Sequence, residues 1–152
     1  MLTRRSFLTV TATAAPAVMF LSRPALAATP HVFAENGLAI RGADPVAFFT
    51  ENAPVLGSAE HALEWYGATW LFANTENMEL FMGNPHAYGP QYGGYCSFAM
   101  SKGAIATSVP EAWTIVDNKL YLNYSVNVRS IWSEDIPGNI TLADGNWPSI
   151  LG

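Results

Sequence analysis

The chain is poor in cysteine, histidine and cationic residues, with one Cys, three His and seven Lys and Arg in 152 residues. The lone Cys96 cannot form an intrachain disulfide, so no disulfide framework holds the fold. Without a Cys-x-x-Cys pair, dithiol chemistry within the chain and the usual thiolate metal site are both excluded. The scarcity of cations argues against nucleic acid and anionic membrane surfaces as partners. Also missing are a Ser-His-Asp ordering, a phosphate-cradling glycine motif, an internal repeat and a run of about 20 apolar residues, the length that a membrane-spanning helix needs.

What is present begins with a three-part leader. Arg4 and Arg5 stand before Phe7-Leu8, an apolar, alanine-rich stretch runs from Val10 to Leu21, and Ala25-Leu26-Ala27 forms a small-residue cleavage site. The paired arginines resemble a twin-arginine signal, which implies the twin-arginine export machinery as a partner and passage of an already folded protein. Residues 1–27 are read as this signal peptide and 28–152 as the working domain, with no membrane attachment after processing and a periplasmic location. Arg4, Arg5 and Arg23 leave with the leader. Four cations (Arg41, Lys102, Lys119 and Arg129) then face all twelve carboxylates, a formal balance of −8 against −5 for the whole chain.

The remaining 125 residues suit one domain with one sizeable core. Asp44 followed by Pro45 reads as a capped start of a short helix ending near Glu51 to Pro54. Ala62 to Tyr66 and Ala68 to Phe72, parted by Gly67, predict a hairpin. Asn74 caps a helix from Thr75 to about Met82, with Met78, Phe81 and Met82 at helical spacing, and Asn84-Pro85 stops it. Tyr95 to about Lys102 predicts a helix with Cys96 in its first turn. Trp113 to Val116 and Leu120 to Tyr124 flank Asp117-Asn118-Lys119, a second hairpin. Ser125 caps a helix with Val128, Ile131 and Trp132 on one face, ended by Pro137-Gly138, and a short helix follows around Ile140 to Ala143. Hairpins alternating with short helices, without strand-helix-strand repeats, predict an α+β fold of two β-hairpins with short flanking helices.

The chemistry-bearing residues cluster between Gly93 and Met100. Cys96 follows two glycines, and amides at a helix start stabilise a thiolate, the reactive form; a small buried core thiol is the other reading. Met100 lies one helical turn on, so two soft sulfurs share a face, with His86 as a third donor across the glycine-rich loop, a set that suits a copper ion. Tyr92, Gly93, Gly94 and Tyr95 are the candidate pocket around the thiol, and Tyr88 and Trp113 are further aromatic candidates. His31, near the mature N-terminus, reads as a disordered surface residue and His61 as solvated; Asp44 reads as a cap rather than an acid catalyst.

Asp44-Pro45-Val46, Gly67 to Phe72, Phe81 to Tyr88, Gln91 to Cys96, Glu111 to Val116 and Leu120 to Ser125 together resemble the YHS domain family, in an exported branch, over roughly Gly37 to Trp147. The resemblance implies a small metal-associated type of domain. The cysteines of the metal-associated members are replaced here by Ala47, Ala73 and Asn77, so the family's metal site is absent as such. Similarity to members that carry selenocysteine at the position of Cys96 implies redox chemistry at that sulfur. The three functional expectations are thus a thiol-redox role at Cys96, turned over by an external thiol or redox partner; a copper-type metal-handling module without catalysis; and a structural or interaction domain.

Overall fold

The computed structural model describes residues 27–152, so the signal-peptide reading lies, except for Ala27, outside the described residues. The fold is α+β. Among the described residues six strands and six α-helices follow one another as β1 (Ala34–Glu35), β2 (Leu38–Ala39), α1 (Ala47–Thr50), β3 (Ser58–Trp65), β4 (Ala68–Phe72), α2 (Thr75–Gly83), α3 (Pro85–Tyr88), α4 (Ser97–Ser101), β5 (Val109–Val116), β6 (Lys119–Asn123), α5 (Val126–Trp132) and α6 (Ile136–Asn146). One sheet has the order β1-β2-β4-β3, and β5 pairs with β6 alone. Both expected hairpins are present. In each, two consecutive residues with positive φ, Tyr66-Gly67 and Asp117-Asn118, make the tight turn whose twist matches the flanking strands. The small β1–β2 hairpin, joined in parallel to β4 through Leu38 and Thr69, was not legible in the sequence.

Local capping explains where the helices begin. Asn74 Oδ1 accepts from Asn77 N–H at 2.8 Å, and Ser125 Oγ accepts from Val128 N–H at 3.1 Å. Asp44 is fully buried: Oδ1 accepts from Val46 N–H (2.9 Å) and Ala47 N–H (3.3 Å), while Oδ2 accepts from Ala73 N–H (2.9 Å) and the Asn77 side-chain amide (2.7 Å). One carboxylate therefore caps α1 and ties it to the β4–α2 junction, which makes Asp44 a structural anchor.

Several boundaries differ from expectation. Pro137 and Gly138 do not end α5. They lie in the first turn of α6, where proline's missing N–H is harmless, and Asp135 caps that turn through Gly138 N–H at 3.1 Å. Cys96 is the cap of α4 rather than a residue of its first turn. Asn84-Pro85 does end α2, as expected, and Pro85 then starts the separate helix α3. Phe81 is buried, but Met82, expected beside it, is 63% exposed; likewise Trp132 is buried while Ile131 is 41% exposed.

Two apolar cores share the β5–β6 hairpin. Successive side chains on a strand point to opposite faces, and β6 uses both: Leu120 and Leu122 join Val46, Phe48, Trp70, Phe72 and Phe81, whereas Tyr121 joins Phe33, Tyr92, Tyr95, Met100 and Trp132. Asn123, on the Tyr121 side, is buried beside Cys96.

Candidate functional site

Cys96 is 1% exposed. Its Sγ accepts from Ala99 N–H at 3.5 Å and donates to Asn123 Oδ1 at 3.6 Å, and the same oxygen accepts from Phe98 N–H at 3.0 Å. The sulfur thus does what an N-cap side chain does: it occupies an amide at the start of α4 and is itself tied to a buried asparagine. Neighbouring Ser97 Oγ and Asn123 Nδ2 are buried without a partner among the described residues. A thiolate nucleophile needs access to its target, and the sulfur has none here.

Gly93 and Gly94, expected to shape an approach to the thiol, have another role. Gly93 has φ +61°, and a Cβ there would collide with the carbonyl of His31; Gly94 has φ +86°, and a Cβ there would lie 2.6 Å from Ile40 Cγ2. Both are glycine because the N-terminal segment and Ile40 press directly on the backbone. The aromatic candidates also part company. Tyr95 packs in the second core, with its hydroxyl donating to the Pro30 carbonyl at 2.9 Å and burial raising its pKa. Tyr88 meets Phe49 edge-on, and Trp113 packs on Phe48.

The copper donor set is not brought together. Met100 is fully buried in the second core and Cys96 is sealed at the start of its helix, whereas His86 sits on α3 with its ring edge-on to Trp65. His86 lines a cleft whose walls include neither Cys96 nor Met100, and among the described residues no three of His, Cys, Asp and Glu stand together as a ligand group.

The structure instead gathers functional groups in a cleft of about 130 Å³, in which His86, Tyr92 and Gly93 meet His31, Trp65, Tyr66, Gln91 and Trp147. Each wall has a local cause. The β3–β4 turn presents Trp65 and Tyr66. The α3 helix presents His86, and Gly89 lets the chain pass close to the Trp65 ring, since a Cβ there would come within 3.1 Å of it. The Gln91–Gly94 turn presents Tyr92, and the end of α6 presents Trp147. His31 is held by main-chain bonds on either side, Phe33 N–H to Gly93 carbonyl at 2.9 Å and Thr29 N–H to Leu151 carbonyl at 3.2 Å. It is therefore an ordered wall of the site, not the loose surface residue expected.

The His31 ring stacks on Tyr66, with centroids 4.3 Å apart, and meets Trp147 at 4.9 Å; His86 meets Trp65 at 5.3 Å and Tyr66 at 6.4 Å. Desolvation first, and then the like charge of His86, lowers the pKa of His31 and favours its neutral form. The Tyr92 hydroxyl donates to Asp144 Oδ1 at 2.8 Å, and burial followed by this carboxylate raises its pKa, so the phenol stays protonated. None of the four cationic side chains of the described residues lines the cleft, and no carboxylate does.

Compared with family models, with curated proteins and with solved structures, the chain matches none.

The missed residues are His31, Trp65, Tyr66 and Trp147. Only their aromatic character was visible in sequence, because they lie as much as 116 positions apart and are joined by tertiary contacts alone.

Proposed function

We propose that this chain is an exported binding domain of YHS type whose ligand seat is the aromatic cleft, and not a thiol catalyst. The leader-like N-terminus and the run of YHS-like segments support the first part. The cleft itself carries the second: two imidazoles and three exposed or half-buried aromatic rings converge on one small opening, while the single thiol is closed off. A concave, mostly apolar site with a few convergent polar groups is the usual form of a small-molecule seat. At about 130 Å³ the space falls well below the 300–1,000 Å³ of drug-sized pockets. The ligand is accordingly a small molecule or a small head group.

The excess of carboxylates disfavours nucleic acid and anionic surfaces as partners. This reading needs no redox partner.

The test is a titration of the folded domain with phenol, imidazole, guanidinium, tetramethylammonium and acetate, followed through the indole N–H resonances. At least one probe is expected to shift Trp65 and Trp147 saturably and leave buried Trp132 in place. Silence from every probe at Trp65 and Trp147, or shifts centred on α4 around Cys96, would overturn the reading.

A further inference from the structure

The shape and electrostatics of the cleft narrow its ligand class. We infer that it selects a small organic cation of the quaternary-ammonium kind, an inference that rests on the binding-domain reading above.

Five Trp and Tyr rings, Trp65, Tyr66, Trp70, Tyr92 and Trp147, line the cleft. The Trp65 and Tyr66 rings meet edge-on at 4.6 Å, and Tyr92 and Trp147 edge-on at 6.2 Å. Aromatic faces carry negative quadrupole potential, and several of them around a desolvated space attract a cation that offers no hydrogen-bond donors. Tyr92 adds to this. Its hydroxyl donates to Asp144 at 2.8 Å, which shifts electron density toward the phenol ring and brings a carboxylate behind it.

The chemistry missing from the lining is equally selective. No Lys or Arg stands there to receive an anion, and the charge of residues 28–152 is −8. No Asp or Glu stands there to replace the water hydrogen bonds that a primary ammonium gives up on entry. A trimethylammonium group has no such bonds to lose. His31, whose neutral form desolvation favours, and His86 complete the wall, and a positive charge on the His31 ring would repel the same cation.

The experiment compares choline with its uncharged isostere 3,3-dimethylbutan-1-ol by calorimetry on the purified domain, with ZnCl2 as a separate titrant. Choline is expected to bind saturably and at least about fivefold more tightly than the isostere, the factor that corresponds to a modest cation–π contribution. Trp147→Leu and Tyr66→Leu, which keep apolar area but remove a π face, should each shrink that gap, with the folded state of both variants checked by circular dichroism. Equal affinity for choline and isostere would overturn the cation inference and leave the cleft as a seat for neutral groups. Zinc binding that is lost in His31→Ala and His86→Ala, with no response to choline, would overturn it in favour of a metal site. If neither choline nor the isostere binds, the inference falls, and the five-probe titration then decides separately whether the cleft is a ligand seat at all.

Discussion

The carbonyl oxygen of His31 occupies the space that a side chain on Gly93 would need, and two residues on, Phe33 N–H bonds the Gly93 carbonyl at 2.9 Å. The wall of the cleft that carries His31 is therefore set by the absence of one Cβ. Gly93→Ala is expected to destabilise the domain by about 3 kcal/mol, from a strained positive φ together with backbone collision. Denaturant unfolding measures the loss. The same variant should move the His31 ring off Tyr66, seen as a change in the ring-current shift of the imidazole protons; an unchanged stability would show that the N-terminal segment is not packed on Gly93.

The burial of Cys96 leads to a reactivity prediction. In the folded protein a thiol reagent such as Ellman's reagent should modify Cys96 no faster than the domain opens globally, with prompt reaction on adding denaturant. Rapid modification in native buffer would restore the thiol-redox reading. Because serine is also a good N-cap, Cys96→Ser should stay within about 1 kcal/mol of the parent, and Cys96→Ala, which leaves Ala99 N–H without its acceptor, should cost about 1 kcal/mol or more.

Asp44 offers a test of structural anchoring against catalysis. Asp44→Ala strips the acceptor from three main-chain amides and the Asn77 side chain in a buried place, and a loss of about 3 kcal/mol in unfolding free energy is expected. Asp44→Asn keeps one carbonyl oxygen and should lose less. Equal stability of all three proteins would remove Asp44 as the tie between α1 and α2.

The pH dependence follows from His31, whose pKa is lowered in the folded state by desolvation and by His86. Below the ordinary value of 6.5 the unfolded chain binds the proton more readily than the folded one, so stability is full above that pH and declines as pH falls through the lowered pKa. His86 is the charged neighbour that acts on this ring, and Tyr66 and Trp147 pack against it. Because the ring stays partly exposed the effect should be small, and it is best isolated by comparing Tm between pH 7.5 and 5 for the parent and His31→Gln. The variant should show the shallower decline; identical slopes would mean that the His31 charge is not coupled to folding.

Features governed by neighbours in the chain were legible without coordinates. Asn74 and Ser125 announce helices because a cap bonds an amide three residues away, and the Asp117-Asn118 turn follows from residues that tolerate positive φ. Pro137-Gly138 was misread because proline is equally at home just after one helix and at the start of the next; only the Asp135 cap distinguishes them. Met82 and Ile131 have the spacing of core residues, but the partner surfaces cover Phe81 and Trp132 instead.

By itself the amino-acid order determined the α+β class, the two hairpins, the capped helices, the acidic balance of residues 28–152 and the lack of a thiolate metal set. Tertiary structure alone decided that Cys96 is shut in beside Asn123, that His86 is not gathered with Cys96 and Met100, and that His31 from one end of the domain meets Trp147 from the other across Tyr66 and Gly93. Hydrogen-bond and turn preferences act over three or four residues, whereas burial and cleft formation depend on which distant surfaces meet when the two cores close.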